Sequence, residues 1–338
     1  MIGNHLLGII GFILIALATY DAIQTTLSAS NSGPLTNRFI NCIGEIFLTI
    51  HRRRKSHAML NALGPWITVL LIILWVSLAW LGWFLLFCSV PYAVVNSTTM
   101  MMATALERFY FIGYTISTLG YGDYVPGDNF WRFLSALAAA NGLFLFTLAV
   151  TYIVPVVSAT VQKRQCALSI SALGHSPLHI IKTTHHGESF PGLANQLVSL
   201  QGSITTLGQQ HLAYPILHYY HSRHSISALP VALARLYQAL LIIEYACPRL
   251  DPATRLQISL TLDSIHQFLD TLHTAFIYPS QHEPSLPDLL PYAELPCFDK
   301  TAEKIHDHLS SQSRQKLLLC YNYKDGWDWE DVWNSKDT

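Results

Sequence analysis

The stretch Thr118-Leu119-Gly120-Tyr121-Gly122-Asp123 lies between two apolar runs, Trp66–Val90 and Phe133–Val161. Each run is long enough to cross a hydrocarbon core of about 30 Å, which takes roughly 20 helical residues. Immediately before the hexapeptide comes a segment of about 14 residues, from Thr104 to Ser117. Its opening Thr104-Ala-Leu-Glu107 has capping-box spacing, and the remainder is apolar and aromatic. Such a segment is too short to span, so the spacing predicts a re-entrant helix. The backbone after it sits at membrane depth, where a non-helical path is tolerated only if it is buried in protein or lines water.

The rest of the composition agrees with a membrane protein. Of 338 residues 51% are apolar and 12% charged, whereas soluble chains are about one quarter charged. Residues 1–160 carry 7 Lys/Arg and 5 Asp/Glu; residues 161–338 carry 13 and 16. The first part is therefore membrane-like and the second has an ordinary soluble balance. A third run, Leu6–Leu27, has no leading Lys or Arg and is read as a retained span, not a cleaved signal. Arg38, the run Arg52-Arg53-Arg54-Lys55, Lys163 and Arg164 flank the spans on one side, and Arg108 alone lies in the 91–129 connection. The positive-inside rule then puts the amino terminus outside and the carboxyl terminus in the cytoplasm of a multi-pass cell-membrane protein. A net charge of −1 without a basic face argues against nucleic acid. The six cysteines have no C-x-x-C spacing, so they suggest neither a zinc site nor a disulfide framework.

The hexapeptide resembles the selectivity filter of potassium channels, Thr-x-Gly-Tyr-Gly followed by Asp. Its fixed positions would coincide by chance in about one chain of this length in ten thousand. A potassium ion must exchange its hydration shell for other oxygens, and a ladder of inward carbonyls provides them. Gly120 and Gly122 permit the backbone angles that such a ladder needs. The resemblance implies that Thr118, Leu119, Gly120, Tyr121 and Gly122 form the ion-binding filter, with the Thr118 hydroxyl at its inner end and Asp123 at the outer mouth. It implies filter bracing by Tyr110 and Phe111, and four copies of the chain around one pore, because one chain has one filter strand. Potassium is then the permeant ion, and no organic cofactor is implied.

Phe133–Val161 becomes the pore-lining inner helix under this resemblance, with Gly142 at the hinge position and Pro155 near the gate. On physics alone, close packing of a small residue explains Gly142 as well as a bend does. Thr147, Thr151, Val154 and Ser158 form a mildly polar stripe suited to lining a wet cavity. The first span and the basic linker have no counterpart in the simplest two-span channels. Asp21, inside the first span, fits either a hydrogen bond to a neighbouring helix, with Thr25 or Thr26 one turn on, or an ion pathway. The apolar spacing of residues 39, 40, 43, 46, 47 and 50 fits an interfacial helix or a solvated one.

Beyond residue 160 no dinucleotide fingerprint, strand series or calcium loop occurs, and the pattern reads as helical. Leu193, Leu197, Leu200, Ile204 and Leu207 form a packing seam; Pro230 and Pro252 open two further helices. His211, His218, His221 and His224 fit either ordinary packed histidines or a metal or pH sensor. The acidic, Trp-rich end, 327–333, either docks on a surface or frays.

The expected architecture is an all-α membrane protein with an outer helix, a re-entrant pore helix with its filter and an inner helix, preceded by an additional N-terminal transmembrane helix. Its parts are an N-terminal span (1–30), a basic cytoplasmic linker (31–64), a pore domain (65–160) and a mainly helical cytoplasmic domain (161–338). The expected activity is passive potassium conduction by a homotetramer in contact with membrane lipid. The tail's ligand or partner is unidentified. A nonselective monovalent-cation channel and a membrane sensor with a subordinate pore are the alternatives. No nucleophile–base pair or phosphate loop suggests an enzyme.

Overall fold

The computed structural model describes residues 2–28, 32–54, 56–187, 189–280 and 282–334. Its described residues fall into two compact units, one built from Met1–Cys42 and Trp66–Pro155, the other from Ile43–Pro65 and Val156–Thr338. The expected Lys55 of the basic run lies outside the described residues.

Long helices frame the first unit. The expected spans fall in α1 (Ile2–Leu27), α3 (His57–Cys88) and α5 (Asn129–Leu173), and the linker helix is α2 (Pro34–Arg54). Helices α1 and α3 approach backbone to backbone: a Cβ on Gly11 would fall 2.5 Å from the Gly82 carbonyl oxygen. Close approach of this kind is how helices associate where lipid removes the hydrophobic drive between them. Polar contacts complete the packing. Asn141 of α5 accepts from the Trp83 indole at 3.0 Å and donates to Thr19 at 2.9 Å, joining α1, α3 and α5.

Asp21 is fully buried and has a structural explanation. Its carboxylate accepts from the backbone N–H of Leu35 at 2.7 Å and of Thr36 at 3.2 Å, from the Thr36 hydroxyl at 2.5 Å and from the Trp75 indole at 2.8 Å. It thereby satisfies the open donors at the start of α2 from another helix. Thr25 joins this network through Thr36, while Thr26 turns back to the Ala22 carbonyl. Helix α2 buries Thr36, Ile40, Gly44, Leu48 and His51, leaving Ile46 and Ile50 exposed.

The second unit is helical: α6 (Pro177–Thr184), α7 (Leu193–Ala213), α8 (Leu229–Ala246), α9 (Pro252–Ala275) and the short α10 (Leu290–Ala293), α11 (Ala302–Ser310), α12 (Gln315–Lys324) and α13 (Glu330–Trp333). Among the described residues four helices are long and apolar enough to cross a membrane, α8 being the fourth. Every residue of α8 from Leu229 to Ile243 is buried, enclosed by α6, α9 and α11–α13. Its hydropathy is satisfied within the protein, and it forms the core of this unit. The seam Leu193, Leu197, Leu200, Ile204 and Leu207 is buried, with α7 packed along α9. The terminal Trp-rich segment docks rather than frays: buried Arg235 of α8 donates to the carbonyls of Asp331 and Val332.

Candidate ion pathway

The site is built from α4 (Ala105–Ile116), the strands β1 (Val94–Asn96) and β2 (Tyr124–Pro126), and α5. Helix α4 begins as its sequence requires. The Thr104 side chain accepts from the Glu107 N–H while Glu107 accepts from the Thr104 N–H at 2.7 Å. Arg108 is buried and binds the carbonyls of Phe87, Val90, Pro91 and Ala103, so its charge caps the end of α3.

The chain leaves α4 at Ser117 and enters the hexapeptide with Thr118 at φ 59°, Gly120 at φ 61° and Gly122 at φ 81°, while Leu119 and Tyr121 keep negative φ. A threonine in left-handed space is uncommon, and three such residues at every second position form a rare pattern. In an ordinary strand successive carbonyls point to opposite sides. Alternating handedness reverses every second peptide plane, which allows the carbonyls to share one side. Leu119 is 59% and Tyr121 67% exposed, and a Cβ at Gly120 or Gly122 would meet nothing within 4 Å. This stretch is therefore open on one flank in the single chain.

Its ends are fixed. The Ser97 N–H donates to the Asp123 carbonyl at 2.9 Å, and β2, which follows at once, pairs antiparallel with β1 through Val94–Pro126, Val95–Val125 and Asn96–Tyr124. The short hairpin was absent from the sequence expectation, because strands of three residues leave no periodicity to read. Tyr110 stacks beside Tyr121 with ring centroids 6.4 Å apart. Phe111, expected to brace as well, faces away: it is buried against Phe87 and Tyr114. Tyr114 takes that place, edge-on to Tyr121 at 6.2 Å and donating to the Tyr124 carbonyl at 2.6 Å. Its spacing, four residues beyond Tyr110 on one helix face, was the available signal.

On α5, Thr147, Thr151, Val154 and Ser158 are exposed. The Thr147 and Thr151 hydroxyls donate to the carbonyls of Leu143 and Thr147 within the helix. Neither Gly142 nor Pro155 ends α5. Gly142 is buried against the end of α4, where a Cβ would fall 2.1 Å from the Ile116 carbonyl oxygen. The division between the two units falls directly after Pro155.

Among the described residues the four histidines belong to no group of three or more that could hold a metal ion. Burial, then the Lys163 charge, pushes His211 down to about 3, and the same causes hold His218 well below the ordinary range. His221 binds Asp325 at 2.9 Å, and His224 is exposed. Burial in the helical core explains the first two, and the contact with Asp325 the third.

Residues 70–159 match a family described as ion channel. The chain is also similar to the uncharacterized membrane protein YdjJ of Bacillus subtilis (strain 168), with 33% identity over 315 residues, covering 92% of this chain and 91% of that protein. The chain belongs to the YdjJ family. It is a membrane protein carrying an ion-channel domain, and that domain contains α4, the hexapeptide and most of the membrane part of α5. No solved structure matches the chain.

Proposed function

We propose that the chain is one subunit of a homotetrameric, potassium-selective channel, with residues 118–122 of four copies forming the filter. The observation that carries this reading is the alternation of handedness at Thr118, Gly120 and Gly122. That pattern suits a ladder of carbonyls replacing water around a bare cation. Open space beside the glycines leaves room for ions and for the other three strands. Asp123, exposed at the end of the ladder, concentrates cations at the outer mouth. Thr147, Thr151, Val154 and Ser158 line the inner cavity, with Gly142 as hinge and Pro155 near the gate. The distribution of Lys and Arg supports an outside amino terminus and a cytoplasmic second unit. Permeation makes and breaks no covalent bond, so no catalytic residue or organic cofactor enters.

The test is a bi-ionic reversal potential in planar bilayers, potassium against sodium, with Gly122→Ala as control. Alanine at φ 81° is strained. A potential near the potassium limit, lost with the substitution, is the expected result. Equal permeabilities would replace the proposal with a nonselective cation channel. Unaltered current through Gly122→Ala would remove the ions from this stretch. Native mass spectrometry should give four chains per particle.

A further inference from the structure

The six cysteines are scattered in sequence, yet the fold brings two of them together in the second unit. Cys247 ends α8 and Cys297 lies in the loop between α10 and α11, fifty positions later. The backbones meet beside them, the Asp299 N–H donating to the Ala246 carbonyl at 3.0 Å. The two thiols lie within reach of each other. Both are free thiols. Cys247 is 1% exposed and Cys297 9%, and Cys297 alone of the pair lines a cleft of about 250 Å³ shared with Arg249 and Asp299. The arrangement thus has an outer sulfur that a small oxidant can reach and an inner sulfur in contact with it.

We propose that Cys247 and Cys297 form a reversible redox site, oxidised by a small peroxide to a disulfide that fastens the 294–301 loop to the end of α8. Cys297 gives its proton to solvent, and its sulfur attacks one oxygen of hydrogen peroxide. The O–O bond breaks and hydroxide leaves, taking a proton to become water. The Cys297 sulfenic acid then meets the Cys247 sulfur. An S–S bond forms, the S–O bond breaks, and the second oxygen departs as water with the Cys247 proton. Two thiols and one peroxide give one disulfide and two waters, and a dithiol reductant reverses the change. Burial pushes Cys297 up to about 11, so its reactive thiolate is scarce at neutral pH and the site answers sustained oxidant, not a brief pulse. Nothing in this chemistry depends on which ion the channel domain conducts.

The test uses the full chain in detergent, exposed to hydrogen peroxide, alkylated, digested and analysed by mass spectrometry with and without dithiothreitol. The expected product is a peptide pair joined through Cys247 and Cys297, released by reductant and formed roughly a hundredfold faster at pH 9 than at pH 7. In Cys247→Ser, dimedone should label Cys297 as its sulfenic acid. In Cys297→Ser, the loop-side variant that keeps the α8 core intact, Cys247 should stay a thiol. The proposal is overturned if both remain thiols after exposed Cys42 has been oxidised, or if Cys297 proceeds to sulfinic acid with no linked peptide.

Discussion

Gly142 of α5 and Ile116, the last residue of α4, pack without room for a side chain between them: the missing Cβ would stand 2.1 Å from the Ile116 carbonyl oxygen and 2.6 Å from its Cγ2. Ile116 is two residues before Thr118, so this contact sets the height at which the hexapeptide begins. The two explanations of Gly142 now give opposite signs. If its value were only flexibility, alanine in a helix interior would stabilise by about 1 kcal/mol. Close packing predicts the reverse, a loss of about 1–3 kcal/mol as α4 is displaced. Thermal unfolding of Gly142→Ala in detergent should therefore show a lower transition than the parent, with reduced current per folded particle.

Asp21 offers a second separation of roles. Asparagine retains its shape but exchanges one acceptor oxygen for a donor facing Leu35, Thr36 and Trp75, all of which donate to Asp21. Hydrogen bonds to a charged group are worth about 1.5–3 kcal/mol each. Asp21→Asn should cost on the order of 3 kcal/mol of stability while leaving the reversal potential unchanged. An altered reversal potential at undiminished stability would return Asp21 to the ion path.

Much of the fold was legible because the membrane imposes length and hydropathy together. The three spans, the capped helix α4 and the break at the hexapeptide could be read in order. The alternating backbone of the hexapeptide could be anticipated because Gly120 and Gly122 stand at alternate positions. What escaped was lateral contact. Phe111 and Tyr114 are both aromatic residues on α4, and only the rotation of that helix against Phe87 decides which one faces Tyr121. Asn141 is unremarkable in sequence, although it ties three helices. In the second unit, α8 has the hydropathy of a span, and only its enclosure by neighbouring helices assigns it to a core. Cys247 and Cys297 met through packing that no local spacing encodes.

The exchange of Phe111 for Tyr114 as the brace is testable by a pair of substitutions. Phe111 is 3% exposed in the core of the first unit, and Phe111→Ala should cost about 3–5 kcal/mol and be seen as poor yield or a low unfolding temperature. Tyr114→Phe removes only the hydroxyl that reaches the Tyr124 carbonyl. It should fold, losing about 1 kcal/mol, and its effect should appear in the filter: a lower potassium-to-sodium permeability ratio or faster decay of current under steady conditions. An unchanged Tyr114→Phe channel would place the brace elsewhere.

The buried histidines predict how the second unit responds to acid. His211 and His218 are held neutral by burial, with His211 at about 3 against an ordinary value near 6.5. The unfolded chain binds these protons more readily than the folded one, so stability rises with pH wherever the unfolded sites are partly or fully protonated and the folded sites are not. For His211 the contribution is complete above about pH 6.5 and is lost as pH falls from there toward 3, by about 1.4 kcal/mol per unit, and His218 adds a loss of the same sign below pH 6.5. Chemical unfolding followed at pH 7, 6 and 5 should show a steepening loss, before most carboxylates titrate. His211→Leu, filling a site where the ring packs edge-on to Phe268, should remove about one proton's worth of that slope. A slope equal to that of the parent would mean that His211 is already protonated in the folded protein, contrary to its burial.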